Sequence, residues 1–188
     1  MQSWQTDLLN LQLSLSVKPM FKYVGSIDRI RQMVRLSDGL LGKVAIPKGT
    51  RREPVAIPRA AFDAEWISAE GTDPERVLLY LPGGAYIIRM PNVHSGMVSK
   101  LCRNANARAL MVYYRLAPEH PFPACLEDAL LAYEWLLDRG IPSQKIAIAG
   151  DSAGGGLTLS TLLAIKERKL PMPGCAHLLS PLLDVSDH

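Results

Sequence analysis

The segment Gly150-Asp151-Ser152-Ala153-Gly154 restricts the fold of this chain more than any other. Before it, Ile146 to Ala149 is short, β-branched and uncharged, the pattern of a buried strand. After it, an apolar helical run extends through Ile165 and closes on Lys166, Arg168 and Lys169, cations suited to the negative end of a helix dipole. G-x-S-x-G between a strand and a helix is the nucleophile-elbow pattern. The spacing has a steric reason. A turn sharp enough to push one hydroxyl out of a sheet crowds the backbone, and glycines two before and two after the serine remove the Cβ atoms that would clash. Ser152 is therefore the candidate nucleophile. The next N–H, on Ala153, lies at a helix N-terminus, where the dipole favours a developing oxyanion. The competing reading is an ordinary strand–helix turn that happens to contain serine.

Composition narrows the function classes. At 188 residues the chain is long enough for one domain with a sizeable core, and 48% hydrophobic with 21% charged residues is ordinary for a globular protein. A net charge of +3, with no run of Lys and Arg, argues against nucleic acid. Arg51-Arg52 reads as a solvated loop pair. Cys102, Cys125 and Cys175 are odd in number and lack C-x-x-C spacing, which fits free thiols better than a disulfide framework or a zinc site. The N-terminus lacks a signal-peptide pattern, and the uncharged runs Val77–Ile88 and Ser152–Ile165 are too short for a membrane span. The expectation is a cytoplasmic protein with no stable membrane insertion.

Along the chain, Trp4, Leu8, Leu9, Leu11, Leu13 and Leu15 mix helical and alternating spacing. Ser26 reads as an N-cap for a helix carrying Ile27, Ile30, Met33 and Val34, broken at Gly39 and Gly42. Pro47 to Pro58 reads as a proline-rich linker. Phe62–Ser68 alternates like an edge strand. Val77–Leu81 and Ala109–Tyr114 are continuous apolar strands of the kind found in parallel sheets. Helices are expected from Val93 to Ala105 and from Leu126 to Arg139. A last strand, Cys175–Ser180, ends at Pro181. Strands alternating with helices predict an α/β fold: a mostly parallel central sheet flanked by helices. Residues 1–50 are expected as an N-terminal helical segment and 51–188 as the core.

Ligands of such sheets bind beyond the carboxyl ends of the strands. Gly83-Gly84-Ala85 falls at one such end, where little side chain keeps its N–H groups from a ligand. Acyl transfer needs donors of this kind opposite the nucleophile, whereas no phosphate-cradle pattern is present.

Three segments together resemble one family. They are Tyr80-Leu-Pro-Gly-Gly-Ala-Tyr86, then Tyr114-Arg-Leu-Ala-Pro-Glu-His-Pro-Phe-Pro-Ala124 with Glu127-Asp128-Ala129, then Gly150-Asp-Ser-Ala-Gly-Gly155. In order and composition they resemble the hormone-sensitive-lipase-like branch of the α/β hydrolases, over about residues 60–188. The resemblance implies a serine carboxylesterase acting on short to medium acyl esters, with no metal or organic cofactor. It implies Ser152 as nucleophile and the N–H groups of Gly83, Gly84 and Ala153 as oxyanion hole. It makes the Tyr114–Ala124 block a buttress and residues 1–50 part of a cap. Tyr86, beside the donor loop, and Asp151, beside the nucleophile, are candidate substrate contacts, with packing and a turn hydrogen bond as the alternatives. The chain departs from the family at Pro82, where a loop-organising histidine is usual, and at Ala85, where a third glycine is usual.

The resemblance also places the catalytic acid and histidine after the serine, in the order Ser, Asp or Glu, His. His94 and His120 precede the serine and read as packing groups. His177 reads as a core histidine, His188 is terminal, and Asp184 and Asp187 lie too near it for a triad arm. The expectation is that the triad acid and histidine, with the C-terminal part of the fold, lie beyond residue 188. The 188 residues alone are then expected to be nearly inactive, the C-terminal remainder of the same polypeptide being the expected partner; a homodimer is left open. A non-catalytic small-molecule binder on the same fold, as in gibberellin receptors, is the alternative, and amidase or deacetylase chemistry is not separated from ester hydrolysis.

Overall fold

The computed structural model describes residues 26–183. The apolar residues from Trp4 to Leu15, and Asp184, Asp187 and His188, lie outside the described residues.

Helix α1 (Ile27–Ala45) starts where the Ser26 hydroxyl accepts a hydrogen bond from Arg29 N at 3.3 Å. Strands β1 (Thr50–Val55), β2 (Asp63–Ala69) and β3 (Val77–Leu81) lead to α2 (Pro91–Ala105). Then come β4 (Arg108–Tyr113), α3 (Ala124–Asp138), β5 (Ile146–Asp151), α4 (Ala153–Glu167) and β6 (Cys175–Leu179). They form one six-stranded sheet in the order β1-β2-β4-β3-β5-β6. β1 and β2, and β2 and β4, are antiparallel, while β4, β3, β5 and β6 run parallel.

The sheet is buried on both faces at its centre because its strands alternate two cores. Leu79, Leu81, Leu110, Val112, Ile146 and Ile148 face α3 and α4, meeting Tyr133, Leu136 and Leu157. Leu78, Tyr80, Ala109, Met111 and Ala149 face α2, meeting Val98 and Cys102. Successive residues pointing to opposite sides explain why β3 has no polar position at all.

Four expectations are corrected. The proline-rich stretch 47–58 contains β1, which takes the edge position expected of Phe62–Ser68; Pro54, lacking an N–H, is tolerated on such an edge. Helix α1 runs through Gly39 and Gly42 to Ala45. At Gly42 a Cβ would lie 2.2 Å from Asn92 Cβ, so this glycine serves close packing of α1 on α2. Arg52 is not simply solvated. It holds the buried Glu65 carboxylate with two bonds of 2.8 and 2.9 Å and donates to Asn92 Oδ1 at 2.8 Å. His177 is exposed on β6, at the sheet edge, and is no core histidine.

Among the described residues, no helix is long and apolar enough to cross a membrane.

Candidate active site

β5 ends at Asp151 and α4 begins at Ala153, leaving Ser152 alone on the turn with φ +51° and ψ −119°. A non-glycine residue at positive φ is disfavoured and persists only where its surroundings fix it. Here Ser152 N donates to Leu179 O at 2.9 Å, and Ser152 O accepts from Gly156 N at 3.1 Å and Leu182 N at 2.9 Å. The flanking glycines are explained by the neighbouring strand. A Cβ on Gly150 would lie 2.3 Å from Gly154 O, and one on Gly154 would lie 1.9 Å from Leu81 O of β3. The side chain of Ser152 is exposed, and no described residue hydrogen-bonds its Oγ.

Facing the elbow is the loop that leaves β3. Three successive residues take positive φ: Gly84 at +137°, Ala85 at +52° and Tyr86 at +62°. Gly84 O accepts from both Ile87 N and Ile88 N at 2.9 Å, and Tyr114 OH donates to Pro82 O at 2.6 Å. The Tyr114 hydroxyl is held neutral, its pKa pushed well up by burial first and then by nearby Tyr86. The Tyr114–Ala124 block therefore does buttress this loop, through a phenol reaching a carbonyl 32 residues earlier.

Gly83 is one of the donors expected from the sequence. Its N–H donates to Asp151 Oδ1 at 2.9 Å and is not free to meet a ligand. The N–H groups of Gly84, Ala85 and Ala153 donate to no acceptor among the described residues. Ala85 thus takes the place assigned to Gly83. The sequence carried the signal, since Ala85 stands where the third loop glycine is usual, but not the engagement of Gly83.

Asp151 is one of the two candidate substrate contacts expected from the sequence. Its carboxylate turns away from the open side and accepts from Tyr80 OH at 2.7 Å as well as from Gly83 N. Burial alone would raise its pKa. The His94 hydrogen bond and charge, with the Tyr80 and Gly83 bonds, outweigh burial and hold it below the usual carboxylate value. His94, on α2, is brought to the site rather than merely packed: Nε2 lies 3.4 Å from both Asp151 oxygens. A Cβ on Gly83 would meet Asp151 Oδ2 at 2.3 Å, so loop and carboxylate are in close contact. His120 is exposed and bonded only through its backbone N–H, to Leu116 O at 2.9 Å.

Tyr86 lines a largely apolar concavity of about 600 Å³ with Phe122, Cys125, Leu159, Leu163 and Leu183. The Cys125 thiol at its wall has its pKa raised by burial. Among the described residues, no group of three or more His, Cys, Asp or Glu is placed to hold a metal ion.

Comparison with known proteins adds five findings. Residues 78–188 match a family model described as alpha/beta hydrolase fold. An acetyl-hydrolase of Streptomyces hygroscopicus is 42% identical over 162 residues, covering 86% of this chain and 52% of that protein. A carboxylesterase/phospholipase, LipF, of Mycobacterium tuberculosis is 38% identical over 145 residues, covering 74% and 38%. Among solved structures, an esterase from the bacterial hormone-sensitive lipase family superposes with a TM-score of 0.77 at 40% identity, over 85% of this chain and 52% of that one. An esterase/lipase from an uncultured bacterium gives 0.76 at 41%, over 86% and 54%. The chain spans about half the length of the relatives it matches.

Proposed function

The chain belongs to the α/β-hydrolase fold family, on its hormone-sensitive-lipase-like branch, and from that premise we propose that it carries the nucleophile and oxyanion hole of a serine carboxylesterase. The observation that carries this reading is Ser152, exposed at positive φ, beside the unengaged N–H groups of Gly84, Ala85 and Ala153. A hydroxyl on a strained elbow opposite preorganised donors is the arrangement acyl transfer requires.

In the proposed reaction an ester seats its carbonyl oxygen on those three N–H groups. Ser152 Oγ attacks the carbonyl carbon while a general base takes its proton. The tetrahedral intermediate collapses, the alcohol leaves with a proton, and an acyl-enzyme on Ser152 remains. Water then releases the acid by the same steps. A serine at its free pKa needs an adjacent base, and the base and its orienting acid are assigned to residues outside the described ones. The apolar concavity at Tyr86 suits an acyl chain of short to medium length. Residues 1–50 are read as a cap segment, and the unpaired Cys102, Cys125 and Cys175 support a cytoplasmic setting.

The test is reaction with a serine-directed fluorophosphonate followed by peptide mapping, with hydrolysis of p-nitrophenyl butyrate in parallel. Modification confined to Ser152, with both signals lost in Ser152→Ala, supports the esterase. With the base and its orienting acid present, a folded protein that binds esters without labelling or turnover overturns it in favour of a non-catalytic binder.

A further inference from the structure

His94 is buried, at 3% exposure, and both its ring nitrogens face acceptors. Nδ1 is 2.9 Å from Met90 O, a carbonyl with no proton to give. Nε2 is 3.4 Å from the two oxygens of Asp151, a carboxylate that already accepts from Tyr80 and Gly83. A neutral imidazole has one N–H and can satisfy only one of these partners. The small cavity beside the ring, lined by Pro82, Gly83, Met90 and Tyr114, is about 10 Å³, at the lower limit for an ordered water.

The other polar groups around the ring are engaged with partners of their own. Tyr80 on β3 already donates to Asp151, and Tyr114 to Pro82 O. Tyr113 donates to Glu65. Arg89, on the far wall of the same small cavity, donates to Tyr113 O and Tyr114 O at 2.8 and 2.7 Å.

We propose that His94 is a positioning residue for the oxyanion loop: through Nε2 it anchors Asp151, which in turn seats Gly83 and aims the next N–H groups at the substrate. The chain of contacts runs from α2 to the end of β5 to the loop after β3. It gives the loop an organiser where Pro82 has no side-chain donor. The proposal rests on the reading of Gly84, Ala85 and Ala153 as oxyanion donors, but its spectroscopic part stands apart from catalysis.

The experiment is NMR of the ¹⁵N-labelled protein at pH 7, joined to fluorophosphonate labelling rates of His94→Leu and His94→Gln. Gln can place an amide N–H near the position of Nε2. The expected spectrum shows His94 Nε2 carrying a proton and a Gly83 amide proton shifted downfield by its carboxylate acceptor. His94→Leu should move the Gly83 resonance and slow Ser152 labelling roughly tenfold, the order expected for one charge-assisted hydrogen bond. His94→Gln should restore most of both. A wild-type His94 with a bare Nε2 overturns the proposal, as does His94→Leu with the Gly83 resonance and the labelling rate unchanged. If Ser152 labels in no variant, the esterase reading fails, while the His94 and Gly83 signals still decide the positioning pair.

Discussion

At Gly154 one methyl group decides whether the elbow can form. Its Cβ would lie 1.9 Å from Leu81 O, a backbone atom of a buried strand that cannot move aside. Gly154→Ala is expected to cost about 3 kcal/mol or more, the upper range for overpacking, in a urea melt. Gly39, within α1, has nothing within 4 Å of its Cβ. Gly39→Ala should therefore stabilise by about 0.5–1 kcal/mol in the same assay, through helix propensity alone. Asp151 carries a pH prediction. Its folded pKa lies below its unfolded value because the His94, Tyr80 and Gly83 bonds outweigh burial. Its stabilisation is present above the unfolded pKa of about 4 and is lost as pH falls through the lower folded value. Asp151→Asn should flatten that part of the acid-unfolding curve. The place of Ser152 on a strand–helix turn was legible in sequence because such an elbow is local: five residues and two flanking elements define it. The roles of Asp151, Gly83 and His94 were not, since His94 and Asp151 are 57 residues apart and meet only once α2 has packed on the sheet.

Elements show the same division between local signal and tertiary context. α3, α4 and the central strands followed from apolar periodicity. β1 did not, because its prolines mark an edge as readily as a linker. α1 outlasted two glycines because tertiary ties hold it. The buried Asp38 accepts from Asn92 N at 3.1 Å and Val93 N at 2.9 Å, capping an α2 N-terminus that has no side-chain cap of its own. Asp38→Ala should cost about 1–2 kcal/mol in a urea melt, the upper range for losing a cap. Arg31 ties the same helix to the site. It donates to Ile87 O at 2.7 Å, to Ala117 O at 2.7 Å and to both oxygens of Glu119. Arg31→Ala is expected to speed amide exchange in α1 while leaving β3, β4 and β5 protected, since local opening draws on local contacts. Equal acceleration in those strands would contradict this division.

Across the molecule, burial sorts chemistry as well as stability. Cys102 is fully buried with its thiol pKa pushed up to about 11 by desolvation, and Cys125 is raised by the same cause. Cys175 is exposed on β6. An aromatic disulfide reagent at pH 8 should therefore titrate one thiol quickly and the other two only on denaturation. The active-site end of the sheet was legible as a place, because ligands gather beyond the carboxyl ends of parallel strands. Which loop amides remain free at that place was not, because it depends on how the elbow and the β3 loop engage one another. The crystal structure of the fluorophosphonate adduct tests this most directly. The phosphoryl oxygen on Ser152 is predicted to lie about 3 Å from the N–H groups of Gly84, Ala85 and Ala153, with Gly83 still bonded to Asp151. An adduct whose oxygen instead takes the Gly83 N–H, or one formed at another residue, would contradict the assignment.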